Sequence, residues 1–233
     1  MDSFINVIVT FVLLTVIYKY FENRSYGVVL QKSDVDDNEY LVRNLPDRQK
    51  AADTLANISK RLLRLVNFIK RNSANIDTMY NKYVKSQFEK TISSPTDKND
   101  SNYQKLVRDK KNKLIGDLNR LVQNFNPNKI SETTPDAKYT SYSVNKGEKI
   151  VFCLRSKDEK QKLVDLNIMM FVALHELAHT MTKSVGHTPE FWNNFRILLR
   201  NARKLGIYKR VNYNEKPVEY CGTKITDDPE NFY

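Results

Sequence analysis

The three histidines of the chain all lie between positions 175 and 187, at the end of a mostly apolar segment that begins near residue 164. An interrupted apolar segment of this length is too short to cross a membrane and is typical of a helix that is buried on most sides. His175 and His179 are four positions apart, so on a helix their side chains lie on one face. The fold must therefore surround a central helix that presents one polar face.

The spacing of these residues predicts a metal site. His175-Glu176-Leu177-Ala178-His179 is an HExxH sequence, and His187 follows after a glycine. Neutral imidazole is the commonest protein ligand of zinc, and a glutamate beside the first histidine is placed to act on a metal-bound water. We expect Zn²⁺ on His175, His179 and His187, with Glu176 as the general base of peptide hydrolysis.

HExxH has three fixed positions, so it also arises by chance as polar residues on the exposed side of a helix. The apolar helix, the preceding strand suited to pairing with an extended peptide, and the histidine after a glycine favour the metal site. His187 has the alternative of a surface loop histidine, in which case Glu190 is the nearest replacement ligand. The distance from His179 to His187 exceeds that of the metzincin HExxHxxGxxH pattern.

With these residues the chain resembles the WLM and SprT-like zinc metallopeptidases. The resemblance covers residues 138–225 and is carried by His-Glu-Leu-Ala-His-Thr, by the strand before it, and by Gly186-His187-Thr-Pro-Glu-Phe191-Trp192. It implies a minimal zincin-like fold and a protein or peptide substrate. Phe191 and Trp192 are then expected to pack under the site. Relatives of this type that act on DNA-crosslinked proteins carry extra DNA-binding motifs, and none is visible in this sequence.

The C-terminal stretch 211–222 resembles a short hairpin, and Tyr220 is the candidate catalytic residue that would stabilise an oxyanion. The alternative for Tyr220 is an ordinary aromatic residue of a strand. Cys153 and Cys221 lack CxxC spacing and are expected to be reduced thiols, the alternative being one disulfide that joins the strands around them.

The remaining pattern predicts an α+β fold. A helix is expected to begin near Pro46 and to bury a stripe of residues 55–69, with further helices over 74–89 and 102–124. Residues 138–145 and 148–154 predict a hairpin within a small antiparallel sheet. The capping box formed by Ser156 and Glu159 predicts the start of the central helix, and Gly186 its end.

The N-terminus predicts a transmembrane helix. Residues 3–18 carry no charge and are followed by aromatic residues and Lys19, which favours a single-pass anchor over residues 1–21. A cleaved signal peptide or a buried core helix are the alternatives, and the first lacks a basic start and a small-residue cleavage site. The charges on either side of the segment favour a cytosolic body, on a host or virion membrane.

The expected organisation is therefore an anchor (1–21), a polar linker (22–43), a basic helical subdomain (44–127) and a zincin-like metallopeptidase domain (128–233). Residues 43–122 hold 18 Lys and Arg against 8 Asp and Glu, so most of the net charge of +11 lies in these helices. A solvated face explains this charge, and contact with anionic lipid or nucleic acid are the alternatives.

Two other functions compete with the peptidase. One is a membrane-tethered structural or virion scaffold that keeps a zincin fold without proteolysis, and the other is a module that binds anionic surfaces. The Lys- and Asn-rich, Gly-poor composition together with the motif is similar to that of proteins from large DNA viruses.

Overall fold

The computed structural model describes residues 9–17, 27–85, 88–89, 100–134, 137 and 139–230. The fold is α+β, as predicted. Its helices are α1 Arg48–Asn72, α2 Ile76–Tyr83, α3 Ser101–Asn124, α4 Leu166–Met181 and α5 Pro189–Lys204. Its strands are β1 Val28–Lys32, β2 Glu39–Arg43, β3 Ile130–Glu132, β4 Tyr142–Val144, β5 Lys149–Phe152, β6 Val218–Tyr220 and β7 Thr223–Ile225.

Helix α4 is the central helix that the apolar pattern predicts, but it begins later and ends earlier than expected. The carboxylate of Asp165 accepts hydrogen bonds from the backbone N–H groups of Asn167 and Ile168 and starts the helix there. The predicted capping box instead closes a local turn, because the Ser156 hydroxyl is bonded to Asp158. The helix ends at Met181, five residues before Gly186, where the backbone becomes extended.

Helices α1 and α3 follow the prediction closely, whereas α2 is shorter than the expected 74–89. The buried face of α1 includes the predicted stripe of Leu55, Ile58, Leu62, Leu65 and Ile69. These side chains belong to the same hydrophobic cluster as the buried residues of α4 and α5. The helices of the predicted basic subdomain and the elements of the predicted metallopeptidase domain therefore share one core.

The sheet beside α4 has the order β3-β5-β4. The hairpin of β4 and β5 is confirmed, but the sheet is mixed rather than antiparallel, because β3 pairs with β5 in parallel. The turn of the hairpin packs against α4. A Cβ atom on Gly147 would lie 2.5 Å from a methyl group of Thr180, so this turn needs glycine for its close approach as well as for its φ of +113°.

The predicted linker 22–43 is wrong over its described part. Strands β1 and β2 pair as an antiparallel hairpin, and the acidic stretch forms the turn between them. Tyr40 and Val42 are buried and alternate with exposed or half-buried residues, while the backbone N–H of Arg43 donates to the Glu132 carboxylate. The hairpin is thereby attached to β3. Residues 22–26 lie outside the described residues.

The predicted transmembrane anchor, and with it the single-pass membrane location, is wrong. Within the described residues no helix has the length and apolar character needed to cross a membrane. The described helical segment covers residues 9–17. The rest of the predicted anchor lies outside the described residues.

Cys153 and Cys221 form a disulfide, so the expectation of reduced thiols is wrong and its alternative holds. Cys153 directly follows β5, and Cys221 lies in the turn between β6 and β7. The disulfide therefore attaches the C-terminal hairpin, β6–β7, to the central sheet.

Candidate metal centre

The structure brings the three predicted ligands together. His175 and His179 project from α4, and His187 comes from the loop that follows it, residues 182–188, here called the histidine loop. Their ligand atoms all lie within 4.8 Å of one another, and the Nε2 atoms of His175 and His187 are 3.1 Å apart. The three imidazoles form a single cluster of nitrogen donors.

The surroundings favour the neutral imidazoles that a metal requires. Removal from water lowers the pKa of His175 to about 3, with additional effects of His179 and His187. Removal from water, and smaller electrostatic effects of His187 and Lys146, lower the pKa of His179 to about 4. A histidine held neutral at physiological pH keeps a lone pair available for a cation.

The separation of the His175 and His187 donors fits zinc. Two nitrogens that each lie ~2.0–2.1 Å from a tetrahedral zinc ion are separated by roughly 3.3 Å, close to the separation of the His175 and His187 Nε2 atoms. Three nitrogen donors with no thiolate leave a fourth position open, which is the donor set of catalytic rather than structural zinc sites.

Phe191 packs against all three imidazoles of the cluster. It is fully buried, and its ring centroid lies 4.9, 4.4 and 4.7 Å from those of His175, His179 and His187. The Trp192 ring lies 5.6 Å from that of His187. Both aromatic residues therefore pack against the histidines, in line with the packing role expected for them.

Glu176 is buried beside the cluster, with 5 % of its surface exposed. Burial raises its pKa to about 8, while a hydrogen bond from the backbone of Ser143 acts in the opposite direction. Ser143 is the middle residue of the edge strand β4. The carboxyl group thus lies between the histidine helix and the open edge of the sheet.

Glu190 is engaged elsewhere, so the structure does not support it as a replacement ligand. Its carboxylate accepts hydrogen bonds from the backbone N–H groups of Lys183 and Ser184, and forms an ion pair of 3.1 Å with Lys113. These contacts together lower its pKa to about 2, against the opposing effect of burial. Glu190 ties the first turn of α5 to the histidine loop.

Two further cations hold the histidine loop from other elements. The Lys146 ammonium group donates to the carbonyl oxygens of Thr182 and Ser184, at 3.0 and 2.7 Å. Arg120 of α3 donates to the carbonyl oxygen of Met181 at 2.7 Å. Sequence patterns gave no signal for these contacts, because each joins residues that are far apart in the chain.

A buried polar network lies behind the loop. Asp117 of α3 accepts hydrogen bonds from Arg120 and Asn194, and Asn194 also donates to the Thr182 hydroxyl. The start of the histidine loop is thereby connected to α3 and α5.

The structure does not place Tyr220 as a free oxyanion donor. Its hydroxyl group is buried, donates to the carbonyl oxygen of Cys153 at 2.9 Å and lies 2.6 Å from the Ser141 hydroxyl. Burial raises its pKa, and the charge of Glu176 acts in the same direction. Tyr220 instead fixes the C-terminal hairpin, β6–β7, against the segment that leads into β4.

Comparison with known proteins finds relatives among large DNA viruses. An uncharacterized protein of Acanthamoeba polyphaga mimivirus is 34 % identical over 197 residues, which cover 84 % of this chain and 82 % of that protein. Uncharacterized proteins of invertebrate iridescent viruses 6 and 3 are 35 % identical over 82 residues and 36 % identical over 97 residues. These matches cover 35 % and 41 % of this chain, and 44 % and 57 % of the viral proteins.

No solved structure matches the chain. The model of the WLM domain family matches residues 121–230, a range that begins at the end of α3 and includes the sheet, the three histidines and the C-terminal hairpin, β6–β7. The resemblance that the histidine motif predicts is thus confirmed, and the chain belongs to the WLM domain family, with relatives in large DNA viruses.

Proposed function

We propose that this protein is a zinc-dependent metalloendopeptidase. The observation that carries the proposal is the cluster of three histidine donors with the buried carboxyl group of Glu176 beside it. A scaffold that keeps the fold without proteolysis has no need for a buried carboxyl group at this position, and burying one is costly.

His175, His179 and His187 would hold the ion. When bound, zinc supplies a Lewis acid that brings the pKa of a coordinated water toward ~7 and polarises the substrate carbonyl group. The Phe191 ring packs against the three imidazoles and limits their rotation. The hydrogen bonds of Lys146 and Glu190 to the backbone of the histidine loop limit the movement of His187. Such support keeps the donors in place before an ion arrives.

Glu176 would move the proton. A cation held by the histidines favours the carboxylate form of Glu176 and lowers its pKa from the value of about 8 that burial gives it. The carboxylate then accepts a proton from the attacking water and passes it to the amine that leaves. A group whose pKa lies near the working pH is efficient in both steps.

Strand β4 would bind the substrate backbone. The N–H of Ile150 donates toward β3, to the carbonyl oxygen of Lys129, so this residue directs its polar backbone groups away from β4. Ser143 is its partner in the ladder, and the backbone groups of Ser143 therefore face the open edge. The backbone N–H of Ser143 is bonded to Glu176, so an extended peptide that pairs with the Ser143 carbonyl oxygen would lie beside this carboxyl group.

The test is cleavage and metal content of the full chain, compared between the wild type and Glu176→Gln. We expect about one zinc per chain in both proteins, and cleavage of casein by the wild type alone. Loss of a general base costs about 10²–10⁴-fold in rate. His179→Ala is the matched control, because it should lose both zinc and cleavage. Absence of stoichiometric zinc from the wild type, or equal cleavage by Glu176→Gln, contradicts the proposal.

A further inference from the structure

A polar cavity of about 220 Å³ lies at one end of the central sheet. Thr133 follows β3, Cys153 follows β5 and Thr140 precedes β4, and all three line the cavity. Because β3 and β5 are parallel and β4 is antiparallel to them, these three positions meet at the same end.

The lining of this polar cavity is rich in cations and hydrogen-bond donors. Arg43, Arg155 and Lys157 contribute to it, together with the hydroxyl groups of Thr133, Thr134, Thr140 and Ser156. Within the described residues, neither Arg43 nor Lys157 forms an ion pair, and the Arg43 guanidinium group donates to the neutral side chain of Gln161. The charge of Arg43 still acts on the nearby Glu132, but no carboxylate in the described part of the chain forms a direct ion pair with Arg43 or Lys157.

Arg155 adds an unsatisfied donor. Its Nε donates to Glu132 and its Nη1 to both oxygens of Asp47, so two carboxylates share its single positive charge. Its Nη2 is buried and has no acceptor among the described residues. A buried N–H group without an acceptor is costly, so an acceptor that enters the cavity is favoured.

The acidic residue of the lining, Asp158, does not neutralise these groups directly. Its carboxylate accepts hydrogen bonds from the Ser156 hydroxyl at 2.6 Å and from the Gln161 backbone N–H at 3.1 Å. These contacts, the first of them above all, lower its pKa. The carboxylate is held within its own turn, and no ion pair between it and Arg43 or Lys157 occurs in the described structure.

The polar cavity lies within reach of a peptide on β4. Thr140 is three residues before Ser143, whose backbone is bonded to Glu176. Residues 140 and 141 form a bend before β4, so this stretch covers at most roughly 10 Å. A peptide paired along the open edge of β4 therefore carries a side chain to the cavity about three residues from the bond that lies beside Glu176.

We propose that the polar cavity binds a carboxylate group of the peptide substrate, about three residues from the scissile bond. The identity of the ligand as a substrate rests on the proposed peptidase function. The carboxylate comes from an acidic side chain or from the free C-terminus of the peptide, and both present the same two acceptor oxygens to the guanidinium groups.

Binding is tested on the full chain carrying Glu176→Gln, loaded with zinc, by fluorescence anisotropy with labelled peptides. One peptide series places Glu or Gln at each of the positions two to four residues on either side of a central bond, with an amidated C-terminus. A second series contains Gln only and ends in a free carboxylate at the same distances. We expect about tenfold tighter binding of the carboxylate peptide at one position, the usual value of a charge-assisted hydrogen bond.

The lining is tested with Lys157→Gln and Arg43→Gln, and Lys160→Gln is the matched control, an exposed lysine of the same segment outside the cavity lining. The first two variants should reduce the preference for carboxylate peptides to about threefold or less, and the control should retain it. Arg155 is unsuitable because its ion pairs hold the fold together.

Two failures are distinguishable. If the wild type cleaves peptides but Glu176→Gln binds Glu and Gln peptides equally, or if the preference survives in Lys157→Gln and Arg43→Gln, the cavity proposal is wrong and the peptidase stands. If Glu176→Gln binds carboxylate peptides preferentially while the wild type cleaves nothing, the peptidase proposal is wrong and the cavity still binds carboxylates.

Discussion

Helices α3 and α4 both contribute side chains near the metal centre, but they differ in how many of their residues are buried. Helix α4 buries 11 of its 16 residues, whereas α3 buries only four of its 24, all in its second half. Packing therefore surrounds most of α4, and His175 and His179 remain half-buried on its one open face. Helix α3 reaches the site only through the side chains of its last turns, and the described packing leaves its first half largely exposed.

The largest difference should appear when the same substitution is made in the two helices. Leu174→Ala removes a fully buried side chain from α4 and should lower the free energy of unfolding by about 2–5 kcal/mol, because it leaves a cavity. Leu106→Ala in α3 removes a side chain that is 47 % exposed and should change the free energy of unfolding by less than about 0.5 kcal/mol. Urea denaturation measures both values.

An equal loss in the two variants would contradict this contrast, and would mean that the first half of α3 packs against a surface formed by another chain. Zinc content of the folded fraction is the control, since Leu106→Ala should leave it unchanged.

The second prediction concerns the polar contacts of α3. Asp117→Ala removes the acceptor of Arg120 and Asn194, and should cost about 2 kcal/mol because buried donors lose their partner. Burial raises the pKa of Asp117, so the charged form is disfavoured and Asp117→Asn should lose less than the alanine variant. Asp109→Ala, in the exposed half, should change the unfolding free energy by less than about 0.5 kcal/mol. If Asp117→Asn had the lowest free energy of unfolding of the three variants, the prediction would be wrong, and Asp117 would act through its charge.

The same contrast explains what could be predicted from the sequence. The histidine helix and the stripe of α1 are local patterns of period 3.6, and both appear as predicted. The start of α4 was misplaced because Ser156 uses its hydroxyl group for Asp158 in a turn, a competition that a capping pattern does not reveal.

Features that depend on distant partners were missed. Strand β3 has only three residues and forms through parallel pairing with β5, some 20 positions further along the chain. The acidic turn between β1 and β2 is typical of a polar linker. This composition hides the alternation of buried and less buried side chains around Tyr40 and Val42. The contacts of Lys113 with Glu190 and of Lys146 with the histidine loop have no local signal.

The smallest expected effect is also the most specific to the metal centre. Lys113 is half exposed and pairs with Glu190, which in turn accepts the backbone N–H groups of Lys183 and Ser184. An exposed ion pair contributes little to stability, so Lys113→Ala should leave the free energy of unfolding almost unchanged.

Its effect should be on zinc affinity, because Glu190 would hold the histidine loop less firmly and His187 would spend less time in position. Partners that act directly on a ligand affect metal affinity by about 10–100-fold, and Lys113 acts one contact further away, so we expect a decrease of roughly threefold. Competition with a chelator measures it, and Lys105→Ala, an exposed lysine in the first half of α3, is the matched control. Equal zinc affinity in both variants would show that Lys113 does not support the metal centre, and would leave Lys146 and Arg120 as the contacts that position the loop.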